Sequence, residues 1–316
     1  AEQNADFVAL AHHRDDQIET FFLAALRGGG LRALSAMPEQ RALTEKTVLW
    51  RPFLAFSRAE IEQYARDNAL VFVHDDSNEN PAFLRNWLRG CWLPDLAARL
   101  PHYAEHLHSS IALLQEERAL LEEVAAQDWQ AVRCAQGLHQ ARWQAFSPAR
   151  QRQLLHTFAR QYGLGAPTTG SLHLWADWLR QADRGEWRLP RGRAVLLHGV
   201  LFAVPHDFAL SWPWAGQPVQ GSLHLAAQQA GLAWQGSAPQ SAGCFRAARR
   251  DDELPTNIGH KNVFRLLQEK RVPAFVRPFW AVACDENGRC IAVANLRSAP
   301  ELGQARLIAP DLLPYL

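Results

Sequence analysis

"LAHHRDDQIETFFLAALRGGGLRALSAMP", residues 10–38, begins inside the apolar run "DFVALA" of residues 6–11. The run has the length of a strand and polar residues bound it, so it predicts a short buried strand. Apolar residues then recur at helical spacing from Ile18 to Leu26. A strand that leads directly into a helix is half of an α/β unit, and such units bind ligands at the carboxyl ends of their strands. The stretch therefore predicts an α/β domain with a site near residues 12–19.

Two histidines and three acidic residues occupy eight positions of this junction: His12, His13, Asp15, Asp16 and Glu19. Asp16 and Glu19 have the D-x-x-E spacing of a capping box, which is a purely structural interpretation. The same spacing places both side chains on one helix face, where they suit a substrate ammonium group or a Mg²⁺ ion bound through Asp15 or Asp16. A metal-dependent phosphohydrolase is a third interpretation.

The "RGGG" segment of residues 27–30 follows the predicted helix. Glycine commonly ends helices, so a C-cap explains it. Arg27, Gly28 and Gly30 would also allow the backbone to approach a phosphate. The segment alone does not decide between these two interpretations.

The whole chain has the composition of a globular protein, with 48% hydrophobic and 21% charged residues. Its 33 basic and 32 acidic residues nearly balance, so net charge indicates no nucleic-acid partner. Five scattered cysteines form no CxxC pair, which favours reduced thiols and a cytoplasmic location. The sequence has no apolar run long enough to span a membrane.

Hydrophobic periodicity divides the chain into four regions of a mixed fold, α/β followed by α+β. Residues 1–100 are predicted as an α/β domain that includes a helix capped by Ser57, and residues 101–133 as one long helix. Residues 134–205 are predicted as a small, mainly helical domain with a strand pair. Residues 206–316 are predicted as a loose connection and a compact α+β domain with a hairpin at "ENGR".

Three stretches together resemble the tRNA(Ile)-lysidine synthetases: "AHHRDDQIETFFLAALRGGGLRALSAMP", "RPFLAFSRAEIEQYA" and "DDSNENPAFLRNWLRGCWLP". The family pattern runs HHxDDQxET, RGxGxxGLxxM, RPLL with RxEI, and DxSNxxxxxxRNxxR. Each part occurs here in order, with Ala33 in place of a glycine and Phe53 in place of a leucine. The resemblance is specific over residues 10–94 and continues less specifically to the C-terminal region.

The resemblance implies a Rossmann-like PP-loop ATPase domain and a reaction in which ATP activates the wobble cytidine of a CAU-anticodon tRNA(Ile). The lysine ε-amine then attacks C2 of that base. It further implies that Asp16 and Glu19 bind the amine and accept its proton, with Asp15, His12 and His13 lining the site or assisting Mg²⁺. Arg27, Gly28 and Gly30 would lie near the nucleotide. The residues implied as framework or anticodon contacts are Asp76, Asn78, Arg85, Asn86 and Arg89.

One departure from the family concerns the SGGxDS loop that holds ATP phosphates, which does not occur in the 316 residues. We expect this loop and the first strands to lie upstream of Ala1, and the chain as given to be inactive by itself. A related PP-loop enzyme that modifies another tRNA base and a non-catalytic tRNA-binding fragment stay open as alternatives. Oligomeric state, including a homodimer, also stays open.

The region of residues 244–280 contains eight basic and four acidic residues. Such an excess suits contacts with tRNA phosphates, although a solvated helix face has the same composition. The resemblance, which assigns tRNA binding to the trailing domains, favours the first interpretation. The predicted phosphate contacts are Arg246, Arg249, Arg250, Lys261 and Arg277.

Overall fold

The computed structural model describes residues 5–44, 46–71, 83–237 and 239–316. The chain forms two compact units, Ala1–Val124 and Ala125–Leu316. Among the described residues, no helix combines the length and the apolar character needed to cross a membrane.

The first unit contains a small three-stranded sheet with strand order β1-β3-β2, in which β1 and β3 are parallel. The predicted strand–helix junction is confirmed, and so is the capping box of α3, in which the Ser57 side chain accepts from the backbone N–H of Glu60. In chain order the elements are β1 (Phe7–Ala9), α1 (Arg14–Leu26), α2 (Leu31–Leu34), β2 (Gln40–Ala42), β3 (Val48–Trp50), α3 (Arg58–Asp67), α4 (Leu84–Trp87), a π-helical turn (Leu88–Trp92), α5 (Leu93–Arg99) and α6 (Tyr103–Val132).

The second unit begins with an antiparallel sheet of strand order β4-β5-β8-β7-β6. Residues 134–205 contain the helices that the sequence predicted, and three strands, β6 to β8, where it predicted a strand pair, while the short β4 and β5 complete the sheet. The elements are β4 (Arg133–Cys134), β5 (Gly137–His139), α7 (Gln140–Gln144), α8 (Pro148–Gln161), α9 (Thr169–Leu179), β6 (Arg184–Leu189), β7 (Gly192–Leu197) and β8 (Val200–Pro205).

The C-terminal part of the second unit has a five-stranded antiparallel sheet of order β16-β15-β14-β11-β9 and two strand pairs, β10-β17 and β12-β13. The predicted hairpin at "ENGR" is confirmed between β14 and β15. The segment predicted as a loose connection contains a helix, α10. The elements are β9 (Val219–Ser222), α10 (Leu223–Gln229), β10 (Ala233–Gln235), β11 (Ala242–Ala247), β12 (Glu253–Thr256), β13 (Gly259–Asn262), α11 (Val263–Glu269), β14 (Ala281–Asp285), β15 (Cys290–Val293), β16 (Arg297–Ser298) and β17 (Arg306–Ile308).

Two hydrophobic cores lie on the two faces of the β6-β7-β8 sheet. Trp187 and Leu196 face the core formed with α8 and α9, which includes Leu155 and Phe158. Phe202 and its neighbours on the other face belong to the core of the C-terminal sheet. This alternation follows from the period of two along a strand, and it joins both parts of the second unit through one sheet.

Candidate active site

The junction between β1 and α1 carries the predicted acidic cluster. After β1 the chain passes His12 and His13, and α1 begins at Arg14. The backbone N–H of His13 donates to Asp16 Oδ2 over 2.9 Å. A carboxylate in the first turn of a helix is favoured by the helix dipole. The capping interpretation with Asp16 as the cap and Glu19 as its partner is wrong, because the helix begins ahead of Asp16.

Two arginines bind the two carboxylates of α1, and we call Asp16, Glu19, Arg85 and Arg89 the carboxylate–arginine centre. Arg85 Nε and Arg89 Nε donate to Glu19 Oε2 and Oε1, each over 2.6 Å. The Nη2 atoms of the same arginines donate to Asp16 Oδ1 over 3.0 and 3.2 Å. Two segments that the sequence separates by 66 to 73 positions therefore share one network.

Burial differs among the four side chains of the centre. Glu19 is 1% exposed, whereas the side chains of Arg85 and Arg89 are 38% and 28% exposed. Burial acts to lower the pKa of Arg89, but the hydrogen bond and charge of Glu19 outweigh it and raise the pKa. Two positive and two negative charges balance, which offsets the desolvation of the buried carboxylates.

Asp15 is the more exposed carboxylate of the cluster, with 43% of its side chain accessible. Its Oδ2 accepts the backbone N–H of Arg58 at the start of α3 over 2.7 Å and lies 3.5 Å from His13 Nδ1. The nearby His13 imidazole, together with the backbone N–H of Arg58, lowers the pKa of Asp15 to about 2. Asp15 is therefore ionised at neutral pH, and its Oδ1 accepts no hydrogen bond from another described residue.

His12 has the opposite character. Burial lowers its pKa below the usual 6.5, and the positive charges of Arg51 and Arg85 add to that shift against the attraction of Asp16. Its Nδ1 is buried without a hydrogen-bond partner among the described residues. His12 is therefore a neutral imidazole at pH 7, with a ring nitrogen able to accept a proton.

The other residues implied by the resemblance are placed less fully. Asn86 is partly buried on α4, between the two arginines of the centre. Asp76 and Asn78 lie outside the described residues.

The glycine segment forms a turn between α1 and α2. Gly28 has φ of +71°, and the backbone N–H of Gly29 donates to the carbonyl oxygen of Ala24 over 2.8 Å. A Cβ at Gly29 would lie 2.8 Å from that oxygen, so this position requires glycine. Arg27 is exposed, and Gly30 precedes the first turn of α2. The geometry supports the C-cap interpretation.

An apolar groove of about 450 Å³ lies within the first unit, lined by residues of α1, the π-helical turn, α5 and α6. Phe22 of α1 packs edge-on against Trp92, with ring centroids 4.7 Å apart, and Tyr103 of α6 completes this part of the lining. Burial raises the pKa of Tyr103, and the charges of Asp15 and Glu19 raise it further. The groove therefore extends to within electrostatic reach of the carboxylates.

The residues present do not fit a magnesium site at Asp16. Its Oδ1 accepts from two guanidinium groups and its Oδ2 from the His13 backbone, so a cation would meet two positive charges there. No cluster of three metal-binding side chains occurs in the part of the chain that the structure describes. Because the SGGxDS sequence is absent from the 316 residues and the glycines form a turn, we assign no residue here to the phosphates of ATP.

The predicted phosphate contacts of the second unit differ in accessibility. Arg246 is 8% exposed, and it donates from Nη1 and Nη2 to the two oxygens of Asp252 over 2.8 and 2.6 Å. The prediction for Arg246 is therefore wrong, because this guanidinium is consumed within the core. Lys261 pairs with Glu269 over 2.5 Å.

The other three predicted contacts are not enclosed in this way. Arg277 Nε donates to the carbonyl oxygen of Val272 over 2.8 Å, so part of its guanidinium is also used. Arg249 and Arg250 are exposed. These two stay the most accessible of the predicted phosphate contacts.

Comparisons with known proteins agree with the motifs. A family model described as a PP-loop domain matches residues 1–96, and one described as the TilS substrate binding domain matches residues 138–201. The tRNA(Ile)-lysidine synthase of Neisseria gonorrhoeae is 40% identical over 305 residues, covering 93% of this chain and 68% of that protein. The enzyme of the same name from Chromobacterium violaceum is 35% identical, with 92% and 70% covered. That from Pseudomonas putida is 36% identical, with 95% and 72% covered.

Proposed function

Because this chain belongs to the tRNA(Ile)-lysidine synthase family, we propose that it joins lysine to C2 of the wobble cytidine in a CAU-anticodon tRNA(Ile). The observation that carries the proposal is the carboxylate–arginine centre, in which two segments of the family pattern meet. ATP supplies the activation that makes the oxygen at C2 a leaving group. The reduced thiols and the tRNA substrate support a cytoplasmic location.

The chemical problem that the protein must solve is the charge of lysine. Free lysine has a side-chain pKa of about 10.4, so its ε-nitrogen is protonated at neutral pH and has no lone pair for attack. The site must therefore bind an ammonium group and then accept one of its protons. These two tasks call for an ionised carboxylate and a neutral base.

Asp15 is the carboxylate that we assign to the ammonium. Asp15 Oδ1 accepts no hydrogen bond from the other described residues, whereas Asp16 accepts from two guanidinium groups at Oδ1 and from the backbone N–H of His13 at Oδ2. Both oxygens of Glu19 are occupied by arginine. Glu19 is therefore a positioning residue that holds Arg85 and Arg89 in place.

His12 is the residue that we assign to the proton. Asp15, with a pKa of about 2, holds an ammonium well but accepts its proton poorly. The negative charge of Asp16 acts on the pKa of His12, so His12 lies near the carboxylates of α1. The proton moves from the ε-nitrogen to His12, and the lone pair thereby freed forms the bond to C2 as the bond from C2 to its activated oxygen breaks and AMP leaves with that oxygen.

The apolar groove gives a place for the rest of the lysine side chain. Four methylene groups lie between the amine and the backbone of lysine, and such stems pack along apolar surface while the charged end stays in a polar environment. Phe22, Trp92 and Tyr103 provide this surface beside the carboxylates. We place Mg²⁺ with the phosphates of ATP, since that ion commonly binds through substrate phosphates and the Asp16 site repels a cation.

The experiment that tests the function is incorporation of labelled lysine into CAU-anticodon tRNA(Ile) by the full-length protein with ATP and Mg²⁺. Asp15→Asn keeps the shape of the side chain and removes its charge, and we expect the KM for lysine to rise about 10- to 100-fold. Asp95→Asn, at an exposed aspartate of α5, is the matched control and should leave the KM unchanged. Absence of incorporation by the folded wild type in the presence of ATP would overturn the proposal.

A further inference from the structure

A cleft of about 530 Å³ opens within the second unit, between the β6-β7 hairpin and the C-terminal core, and we call it the seam cleft. Its volume falls in the range of about 300–1,000 Å³ that is usual for small-ligand pockets. Its chemically distinctive lining consists of Glu186, Arg188, Arg193, Phe208, Phe275 and Phe279.

The position of the seam cleft follows from the two faces of the sheet. Residues that alternate with Trp187 and Leu196 point away from α8 and α9, and Val195 on that face packs against the C-terminal core. At the end of the hairpin the same face carries Arg188 directly opposite Arg193. On this face the apolar contacts therefore stop at Val195, and Arg188 and Arg193 follow at the end of the hairpin.

Two arginines directly opposite each other on antiparallel strands destabilise a folded sheet. Glu186 is the sole carboxylate within 4 Å of either one in the described part of the chain, at 3.3 Å from Arg193 and 3.8 Å from Arg188. The side chains of Arg188 and Arg193 are 92% and 44% exposed, so both can turn toward a ligand. Each guanidinium offers the planar fork of N–H donors that recognises phosphate, and a phosphate would relieve the repulsion.

Three phenylalanine rings form the apolar side of the seam cleft. Phe208 is buried, while Phe275 and Phe279 are partly exposed, with ring centroids 5.8 and 6.0 Å from that of Phe208. Aromatic rings next to arginine form the usual site for a nucleotide base, which stacks on the ring while its phosphate meets the cation. A base inside a double helix is already stacked on its neighbours, so the nucleotide that enters must be unpaired.

We propose that the seam cleft binds one unpaired nucleotide of the tRNA substrate, with its base against Phe275 and Phe279 and its phosphate on Arg188 and Arg193. The inference rests on the proposed function for the identity of the RNA. Both arginines lie inside residues 138–201, which match the family model for substrate binding. An acidic peptide would satisfy the arginines but leave the aromatic surface without a planar partner.

The first test measures the affinity of the full-length protein for CAU-anticodon tRNA(Ile) over a salt series. The variants Arg188→Ala and Arg193→Ala should each lower the slope of log affinity against log salt, and the double variant should lower it by about 0.7 to 0.9, because the two arginines share one phosphate. The KM for tRNA should rise while kcat at saturating tRNA stays unchanged. Arg142→Ala removes one exposed arginine from α7 of the same unit, outside the seam cleft, and should leave the slope unchanged.

The second test locates the nucleotide. Phe279→Leu keeps an apolar side chain and removes the ring, and affinity for tRNA should fall about 10-fold. Ultraviolet crosslinking of the wild-type complex should join a peptide that contains Phe275 or Phe279 to an unpaired nucleotide. A folded Phe279→Leu variant is verified by its urea unfolding curve, and if it is unfolded the crosslink alone decides.

Three outcomes would overturn the inference. Equal changes in slope for Arg142→Ala and Arg188→Ala would show that binding follows total charge. Crosslinks that lie outside the seam cleft, or that join it to paired nucleotides, would show that it does not bind an unpaired nucleotide. The cleft would be a mononucleotide site if two results occurred together. Millimolar AMP would displace a fluorescent mononucleotide from the seam cleft, and Arg188→Ala would leave the affinity for tRNA unchanged. If tRNA binding depends on the seam cleft but no lysine is incorporated, the proposed reaction fails and this inference stands.

Discussion

Arginine and carboxylate meet in two places in this protein, with different results. In the second unit Arg246 and Asp252 lie six residues apart, and both are less than 10% exposed. Arg246 also donates to the carbonyl oxygen of Ala247, and Asp252 also accepts from the backbone N–H of Arg249. In the first unit the carboxylate–arginine centre joins distant segments, and its arginines are about one-third exposed.

The difference shows what separates a structural ion pair from a reactive one. In the Arg246–Asp252 pair the two charges neutralise each other and both side chains are buried. The pair therefore contributes to the stability of the sheet. The carboxylate–arginine centre leaves arginine nitrogen accessible and adjoins Asp15, an exposed carboxylate, and His12, a neutral base. Because the arginines of the centre are partly exposed and Asp15 has a free oxygen, a charged substrate can bind there.

The largest expected effect comes from breaking the structural pair. Arg246→Met retains bulk but leaves Asp252 charged and buried, so we expect a loss of about 3–5 kcal/mol in the free energy of unfolding. Urea unfolding followed by tryptophan fluorescence measures it, since Trp280 and Trp214 are buried in the same core. At temperatures where the variant is folded, the KM for lysine should equal that of the wild type.

The matched double variant Arg246→Met with Asp252→Asn removes both charges. It should be less destabilised than Arg246→Met alone, because no buried charge is left without its partner. Asn still offers an oxygen to the backbone N–H of Arg249. If the double variant lost the sum of the two single effects, Arg246 would contribute through packing and not through its charge.

Glu19→Gln should have a somewhat smaller effect on stability and an indirect effect on chemistry. It leaves two guanidinium groups without one of their two carboxylates, which we expect to cost about 3 kcal/mol in the unfolding of the first unit. The kcat should fall because Arg85 and Arg89 lose their anchor. The KM for lysine should change less than it does in Asp15→Asn.

Comparing the two variants decides which carboxylate contacts the substrate. A large rise in the KM for lysine in a fully stable Glu19→Gln variant, with Asp15→Asn unaffected, would make Glu19 a direct ligand of the ammonium. The assignment of Glu19 as a positioning residue would then be wrong.

The next prediction concerns pH and follows from the lowered pKa of His12. A base acts only when neutral, so kcat/KM for lysine should be independent of pH near 7 and fall tenfold per unit below the pKa of His12, which lies below 6.5. His12→Asn should lower kcat at pH 7 by about 10²-fold and abolish that dependence. His224→Asn, at an exposed histidine of α10, should keep the profile. A wild-type profile in His12→Asn would assign the proton to another group.

Local signals predicted much of this fold from sequence. The apolar run of β1, the periodicity of α1 and the capping box at Ser57 each involve neighbouring residues, so they are visible without tertiary structure. The sheet of the second unit was missed in part because β4 has two residues and β5 three, too few to show alternation. Their pairing depends on a partner, β8, that lies about 60 residues further along.

The contacts within the site were harder to predict from the sequence, because they too depend on residues that are distant in the chain. Motif resemblance selected Asp16, Glu19, Arg85 and Arg89, but not their mutual neutralisation, which requires the chain to bring α1 and α4 together. The excess of basic residues led to Arg246 being predicted as a phosphate contact. A count of charges does not show that the Arg246 guanidinium already donates to Asp252. Arg188 and Arg193 were overlooked because their opposition depends on the register of the hairpin.

The smallest expected effect compares helix caps in the two units. Ser57 accepts from the backbone N–H of Glu60 at the start of α3, and Thr168 accepts from that of Ser171 at the start of α9. Each residue caps through one hydroxyl, so Ser57→Ala and Thr168→Ala should each cost about 1 kcal/mol. Hydrogen exchange at the first turn of each helix measures the local loss.

The two caps differ in what surrounds them. The N-terminus of α3 also donates to Asp15 through the backbone of Arg58, so fraying of α3 releases a partner of the carboxylate that we assign to the substrate. Ser57→Ala should therefore raise the KM for lysine by a few-fold, while Thr168→Ala should leave it unchanged. Equal KM values in both variants would show that Asp15 keeps its position without the first turn of α3. Lysine binding would then not depend on the stability of that helix.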